Sequence, residues 1–103
     1  MAKRARTDRR EATRAAEKLA RQREKLALLD PGGTPERPID VTTAAVIEPH
    51  ARAEPCLRCG ERAARVAEHE AREIDGSRLR VVRIACPRCG AGRTLYFRIV
   101  QPS

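Results

Sequence analysis

Aromatic residues are nearly missing from this sequence. It has no tryptophan, one phenylalanine and one tyrosine in 103 residues. A chain this short buries a modest share of its surface, and without large side chains its core is thin. A folded part therefore needs a staple. Cysteine is absent from residues 1–55; all four cysteines lie between Cys56 and Cys89. No apolar run approaches the roughly 18 residues that read as a membrane span. The basic start, Met1-Ala2-Lys3-Arg4-Ala5-Arg6, is not followed by the apolar stretch of a secretory signal. The expected location is a reducing cytoplasm, where thiols stay free to bind metal. No Ser/His/Asp set, phosphate-cradling glycine loop or plausible carboxylate pair is present, so no enzyme activity is expected.

The four cysteines form two near-copies, Cys56-Leu57-Arg58-Cys59-Gly60 and Cys86-Pro87-Arg88-Cys89-Gly90, with 26 residues between Cys59 and Cys86. Two cysteines at i and i+3 converge on one ion only if the chain turns tightly, and Gly60 and Gly90 permit the positive φ such a turn uses. Two such hooks can close four thiolates around one tetrahedral ion, the arrangement Zn²⁺ prefers. The candidate ligands are Cys56, Cys59, Cys86 and Cys89, with one structural Zn²⁺ as the expected cofactor. A disulfide framework is the rival reading, but paired C-x2-C hooks are the metal signature. His69 falls on the inward face of the expected hairpin. Four cysteines already complete a structural site, so it is expected to be packed or semi-exposed rather than ligating.

Charge is uneven. The formal net charge is +8, with 22 basic and 14 acidic residues. Residues 1–29 hold ten basic against four acidic residues, a net +6, which leaves +2 for the rest. A basic balance favours polyanionic partners, either nucleic acid or an acidic protein surface.

Three stretches are expected. Residues 1–29 form a basic arm whose spacing predicts a helix over 8–29, with Asp8 as N-cap and a stop at Asp30-Pro31-Gly32-Gly33. Residues 30–55 read as a linker punctuated by five prolines. Within it, the β-branched stretch Ile39–Ile47 is either an edge strand or extended linker. Residues 56–103 form the metal-stabilised unit. Asp75-Gly76 is a two-residue hairpin turn, and it sets Glu73 against Arg78 and Glu68 against Arg83. The inward hairpin face then collects Ala67, His69, Ala71, Val82 and Ile84, continuing to Cys86. After the second hook, Leu95, Phe97 and Ile99 alternate with Thr94, Tyr96 and Arg98, with Phe97 expected inside.

With its two hooks, the hairpin between them and a strand after, the chain resembles the zinc-ribbon superfamily over residues 56 to about 100. The resemblance implies a three-stranded antiparallel ribbon, here preceded by an N-terminal helix and the Pro-rich linker, with the four cysteines as ligands. It implies no catalytic residue. Zinc ribbons occur in transcription factors, RNA polymerase subunits, ribosomal proteins and small bacterial proteins. The transcription-elongation type carries an acidic pair at a hairpin tip. This tip is Ile74-Asp75-Gly76-Ser77, which does not support RNA cleavage. Rubredoxins share the two-hook pattern but are typically acidic and aromatic-rich.

The expected function is a non-enzymatic binding module that contacts nucleic acid through Arg78, Arg80, Arg83, Arg93 and Arg98, with Tyr96 as a stacking group and the basic N-terminal arm of residues 1–29 helping. The alternatives are a protein–protein adaptor on a larger complex and a rubredoxin-like iron electron carrier. The sequence leaves the oligomeric state open.

Overall fold

A computed structural model describes residues 2–101 of the chain. Its elements run α1 (Ala2–Ala27), β1 (Ile39–Val41), a 3₁₀ turn (Ala44–Val46), α2 (Ile47–Ala53), β2 (Arg65–Ile74), β3 (Ser77–Ala85) and β4 (Gly92–Ile99).

The first helix starts six residues earlier than expected. Residues 2–7 contain no glycine or proline, and alanine, arginine and lysine favour a helix, so nothing stops propagation toward the N-terminus. Asp8 is therefore inside the helix and is not its cap. The helix also ends two residues early. Leu29 N–H donates to the Leu26 carbonyl and Asp30 N–H to that of Ala27, tightening the last turn ahead of Pro31. The Arg37 guanidinium donates to the freed Leu29 carbonyl at 2.8 Å, which offsets an orphan acceptor at the helix end.

The sheet corrects the three-stranded expectation. Four strands pair in the order β1-β4-β3-β2, and β1 runs parallel to β4 while the other two pairs are antiparallel. Without β1, one edge of β4 would expose its ladder groups. Ile39 and Val41 pair with Phe97 and Ile99, and the flanking chain extends the ladder: Tyr96 N–H donates to the Gly32 carbonyl and Val100 N–H to that of Val41. Gly32 sits here with φ of +88°, and a Cβ would lie 2.6 Å from Ile39 Cδ1, so any side chain is strained here and pushes Ile39 aside.

The Pro-rich segment 30–55 is therefore structured. Of the two readings for Ile39–Ile47, the strand is the one found, though only over Ile39–Val41; Ile47 already belongs to α2. Pro49 occupies the first turn of α2, where no intrahelical N–H is lost. Ile47 and Ala51, four residues apart, share one helix face and are fully buried. They pack with Val41, Ala64, Val82, Ile84, Leu95 and Phe97 in a single cluster. This cluster sits on one sheet face, with Phe97 and Leu95 at 0% exposure. Leu79 and Val81 are buried on the opposite face, Leu79 beside Pro35, Pro38 and Ile74.

The hairpin register is as expected from its turn to Glu68, with Glu73 opposite Arg78 and Glu68 opposite Arg83. Asp75 and Gly76 both take positive φ, 50° and 80°, the signature of a type I′ turn. Beyond Glu68 the register slips by one, setting Val66 against Ile84. This bulge turns Val66 toward the core and leaves Ala67 exposed, against the expected alternation. The larger side chain gains the burial. Ala71 and Ile99 also lie exposed near strand ends, where the core cluster does not reach.

Candidate metal centre

Each hook folds as the same turn. Gly60 N–H donates to the Cys56 carbonyl and Gly90 N–H to that of Cys86, both at 2.9 Å, with φ of +79° and +78° at the glycines. Cys56 N–H donates to the Glu61 carbonyl and Cys86 N–H to that of Ala91. The first hook precedes β2, and the second follows β3 directly. The β2–β3 hairpin therefore brings the two turns together at one end of the sheet.

All four sulfurs lie within 4.8 Å of one another. Cys56 and Cys89 are 3.5 Å apart, as are Cys59 and Cys86. A tetrahedron of sulfurs about 2.3 Å from a central ion has edges of about 3.8 Å, so the four thiols are positioned to bind one metal ion. The cysteines are free. Backbone N–H groups converge on the sulfurs, Arg58 N–H toward Cys56 at 3.4 Å and Cys89 N–H toward Cys86 at 3.5 Å. Such donors offset thiolate charge.

The thiols split into two kinds. Burial alone raises Cys56, but the N–H groups of Cys59 and Arg58 and the neighbouring thiols outweigh it and lower its pKa from 9.0 to about 6. Cys86 is lowered mainly by the Cys89 N–H. At Cys59 the Glu61 N–H lowers the pKa, yet burial and the surrounding sulfurs push it up to about 12. Cys89 is raised against its Ala91 N–H, chiefly by the Cys56 sulfur. Each close contact thus pairs the first cysteine of one hook with the second of the other, one favouring thiolate and one favouring thiol.

The hook arginines reach away from the sulfurs to carboxylates. Arg58 Nε lies 2.8 Å from Glu24 of α1, and Arg88 lies 3.9 Å from Glu61. The first contact ties the metal-binding turn to the basic helix; sequence spacing carries no sign of it because the partners are 34 residues apart. His69 is no ligand. Its Nδ1 lies 2.9 Å from Glu48 of α2, and Arg80 Nη1 lies 3.5 Å from its Nε2. A neutral ring with its proton on Nδ1 satisfies both contacts. Glu48 of α2 and Glu54, the residue just after it, were the residues missed. The i, i+4 pair Ile47 and Ala51 was the signal that this segment is an amphipathic helix.

The arginine set does not converge. Strand alternation places Arg78, Arg80 and Arg93 on the α2 side of the sheet and Arg83, Tyr96 and Arg98 on the other. Four of the five are also engaged. Arg80 contacts His69, Arg83 lies 4.0 Å from Glu68, and Arg93 is a half-buried partner of Glu54 at 3.4 Å. Arg98 forks onto Asp40 at 2.9 and 3.1 Å, which raises its pKa further. The sheet therefore offers no single arginine face. No helix among the described residues is long and apolar enough to cross a membrane. No family model, curated protein or solved structure matches the chain.

Proposed function

We propose that this chain is a non-enzymatic, zinc-stapled binding module of the zinc-ribbon kind that contacts nucleic acid through its basic N-terminal helix. The convergence of four thiols carries the metal half of the reading. Zn²⁺ suits it because a closed tetrahedral S4 set is its structural site and leaves no open position for catalysis. When bound, the ion would hold the two hooks as a rigid end of the sheet. Cys56, Cys59, Cys86 and Cys89 would be its ligands.

The nucleic-acid half rests on exposed charge. Every side chain from Ala5 to Leu19 is exposed, and residues 1–29 carry the net +6. The sheet arginines, three of them paired with carboxylates and the five split between two faces, contribute less than the helix does, so the weight of the reading falls on the arm. Binding by phosphate contacts weakens steeply with salt. The test is an anisotropy titration of labelled RNA and DNA over a salt series on zinc-loaded protein. Absence of binding at low salt would sink this half without touching the metal site.

An adaptor role has its own support. Leu19, Leu26 and Leu29 are 46%, 63% and 64% exposed, an apolar strip that a partner could cover. Pulldown with the full chain against a Leu19→Lys/Leu26→Lys variant separates it from nucleic-acid binding. Elemental analysis separates zinc from iron; a red protein carrying stoichiometric iron would favour the rubredoxin-like alternative.

A further inference from the structure

Arg14, Lys18, Arg21 and Lys25 recur at i, i+4, i+7 and i+11, so they stand above one another on one face of α1. They span about 16 Å of helix, and together with Gln22 they line one shallow concavity. Among the described residues, only Arg21 of these four has a recorded ion pair, a 3.8 Å contact with Glu17 in which both side chains are more than half exposed. Such a contact holds an arginine weakly.

The lower end of this stripe does not stop in solvent. Arg21 and Lys25 also line a groove of about 500 Å³ between the end of α1 and the sheet. Its other walls include Leu28, Leu57 of the first hook, Thr94 and Tyr96. The volume is that of a small-molecule pocket. Tyr96 lies on the sheet face opposite the α2 core and is half-buried, so its ring is neither committed to the interior nor fully solvated. A row of cations, only one of them weakly paired, leading into an apolar groove with one available aromatic face matches one kind of ligand: a polyanion bearing flat apolar groups. Single-stranded nucleic acid combines a charged backbone with bases free to stack. A duplex keeps its bases stacked on one another and offers none to Tyr96.

We propose that the groove between α1 and β4 is a single-strand site, in which phosphates follow Arg14, Lys18, Arg21 and Lys25 and a base enters to stack on Tyr96. This rests on the nucleic-acid reading above and specifies strand state and location. Glu24, which also lines the groove, is turned to Arg58; that contact keeps its carboxylate paired and holds the helix beside the hook.

The chain supplies its own reporter. Tyr96 is the sole tyrosine and there is no tryptophan, so tyrosine emission comes from the groove alone. Zinc-loaded full-length protein is titrated with an oligouridylate of about ten nucleotides, with a duplex of equal charge and with polyglutamate. The expected result is quenching of tyrosine emission by the single strand only, tighter binding of the single strand, and a log–log salt slope of about −3 from four phosphate contacts. Tyr96→Leu should weaken single-strand binding about five- to a hundredfold, Tyr96→Phe should restore it, and duplex binding should be unmoved by either. Lys18→Glu with Arg21→Glu, on the exposed helix, should weaken binding at least tenfold and flatten the slope. The cobalt-substituted thiolate absorption of each variant reports whether the metal end is intact. Wild-type binding with unquenched emission, or a Tyr96→Leu variant that folds and keeps its single-strand preference, overturns the groove while leaving nucleic-acid binding standing. Equal affinity for polyglutamate also overturns it. No binding of any nucleic acid removes the parent reading as well.

Discussion

Gly32 and Gly60 have nearly the same φ, +88° and +79°, but different surroundings. A Cβ at Gly60 meets nothing within 4 Å, whereas at Gly32 it runs into Ile39. Gly60→Ala should therefore cost only the left-handed backbone penalty, about 1–2 kcal/mol. Gly32→Ala should cost more, because the Ile39 side chain at the start of β1 must also shift. Thermal melts of the metal-loaded variants would check the order; equal losses would mean the turn at Gly32 yields easily. At the same scale, Ile47→Ala should destabilise the fold by about 2–5 kcal/mol, since its side chain is fully buried. A loss below 1 kcal/mol in denaturant unfolding would place α2 outside the cooperative unit.

At the scale of elements, the two hooks and the hairpin between them were legible in the sequence. Spacing of cysteines, a glycine after each and Asp75-Gly76 are local signals, and each acts within a few residues. What was not legible is α2 and the bounds and parallel sense of β1, whose strand was only one of two readings for its stretch. Five prolines masked a short helix whose only mark is Ile47 and Ala51, and a three-residue strand is shorter than any periodicity can reveal. Likewise Ala67 could not be told from Val66 as the inward residue, because a bulge is chosen by packing. The hooks carry a pH prediction. Metal binding needs four thiolates, so it releases protons from those that still hold them. Cys56, lowered to about 6, is already ionised near pH 8, while Cys59, raised to about 12, is not. With Cys86 lowered and Cys89 raised, hooks that keep this arrangement without the ion should release about two to three protons on binding zinc at pH 8, whereas hooks that come apart without it should release nearly the four of unperturbed thiols. Indicator-dye titration in weak buffer would measure it. In the metal-free protein the sign at Cys56 is also fixed. Its depressed pKa favours the folded form above about pH 9 and loses that contribution as pH falls through 6.

For the whole molecule, a core of small side chains and a four-thiol centre imply that metal and fold are linked. Chelation, or any one of Cys56→Ser, Cys59→Ser, Cys86→Ser and Cys89→Ser, should collapse the β-sheet signal in circular dichroism, because binding free energy is folding free energy in such domains. Helical signal should persist in part, since α1 is mostly exposed and the core cluster contains none of its residues. A chelated protein with an unchanged spectrum would mean that α2 and the sheet hold without the ion. The molecule measures 67 × 24 × 19 Å, and its 26-residue helix, about 39 Å long, accounts for much of that elongation.

The sequence by itself determined the hooks, the hairpin, the outward charge of the helix and the inward place of Phe97, because each follows from spacing along a continuous stretch of chain. Only the tertiary structure decided what covers the β4 edge, which residue of β2 faces inward, that the sheet arginines are split between two faces with three of them held by acids, and that Glu24 meets Arg58. Those outcomes depend on residues far apart in sequence competing for the same space and charge. The shortage of aromatics made them matter: with little bulk to bury, this chain draws its core from a short helix hidden among prolines, and it leaves its one tyrosine free beside a row of cations.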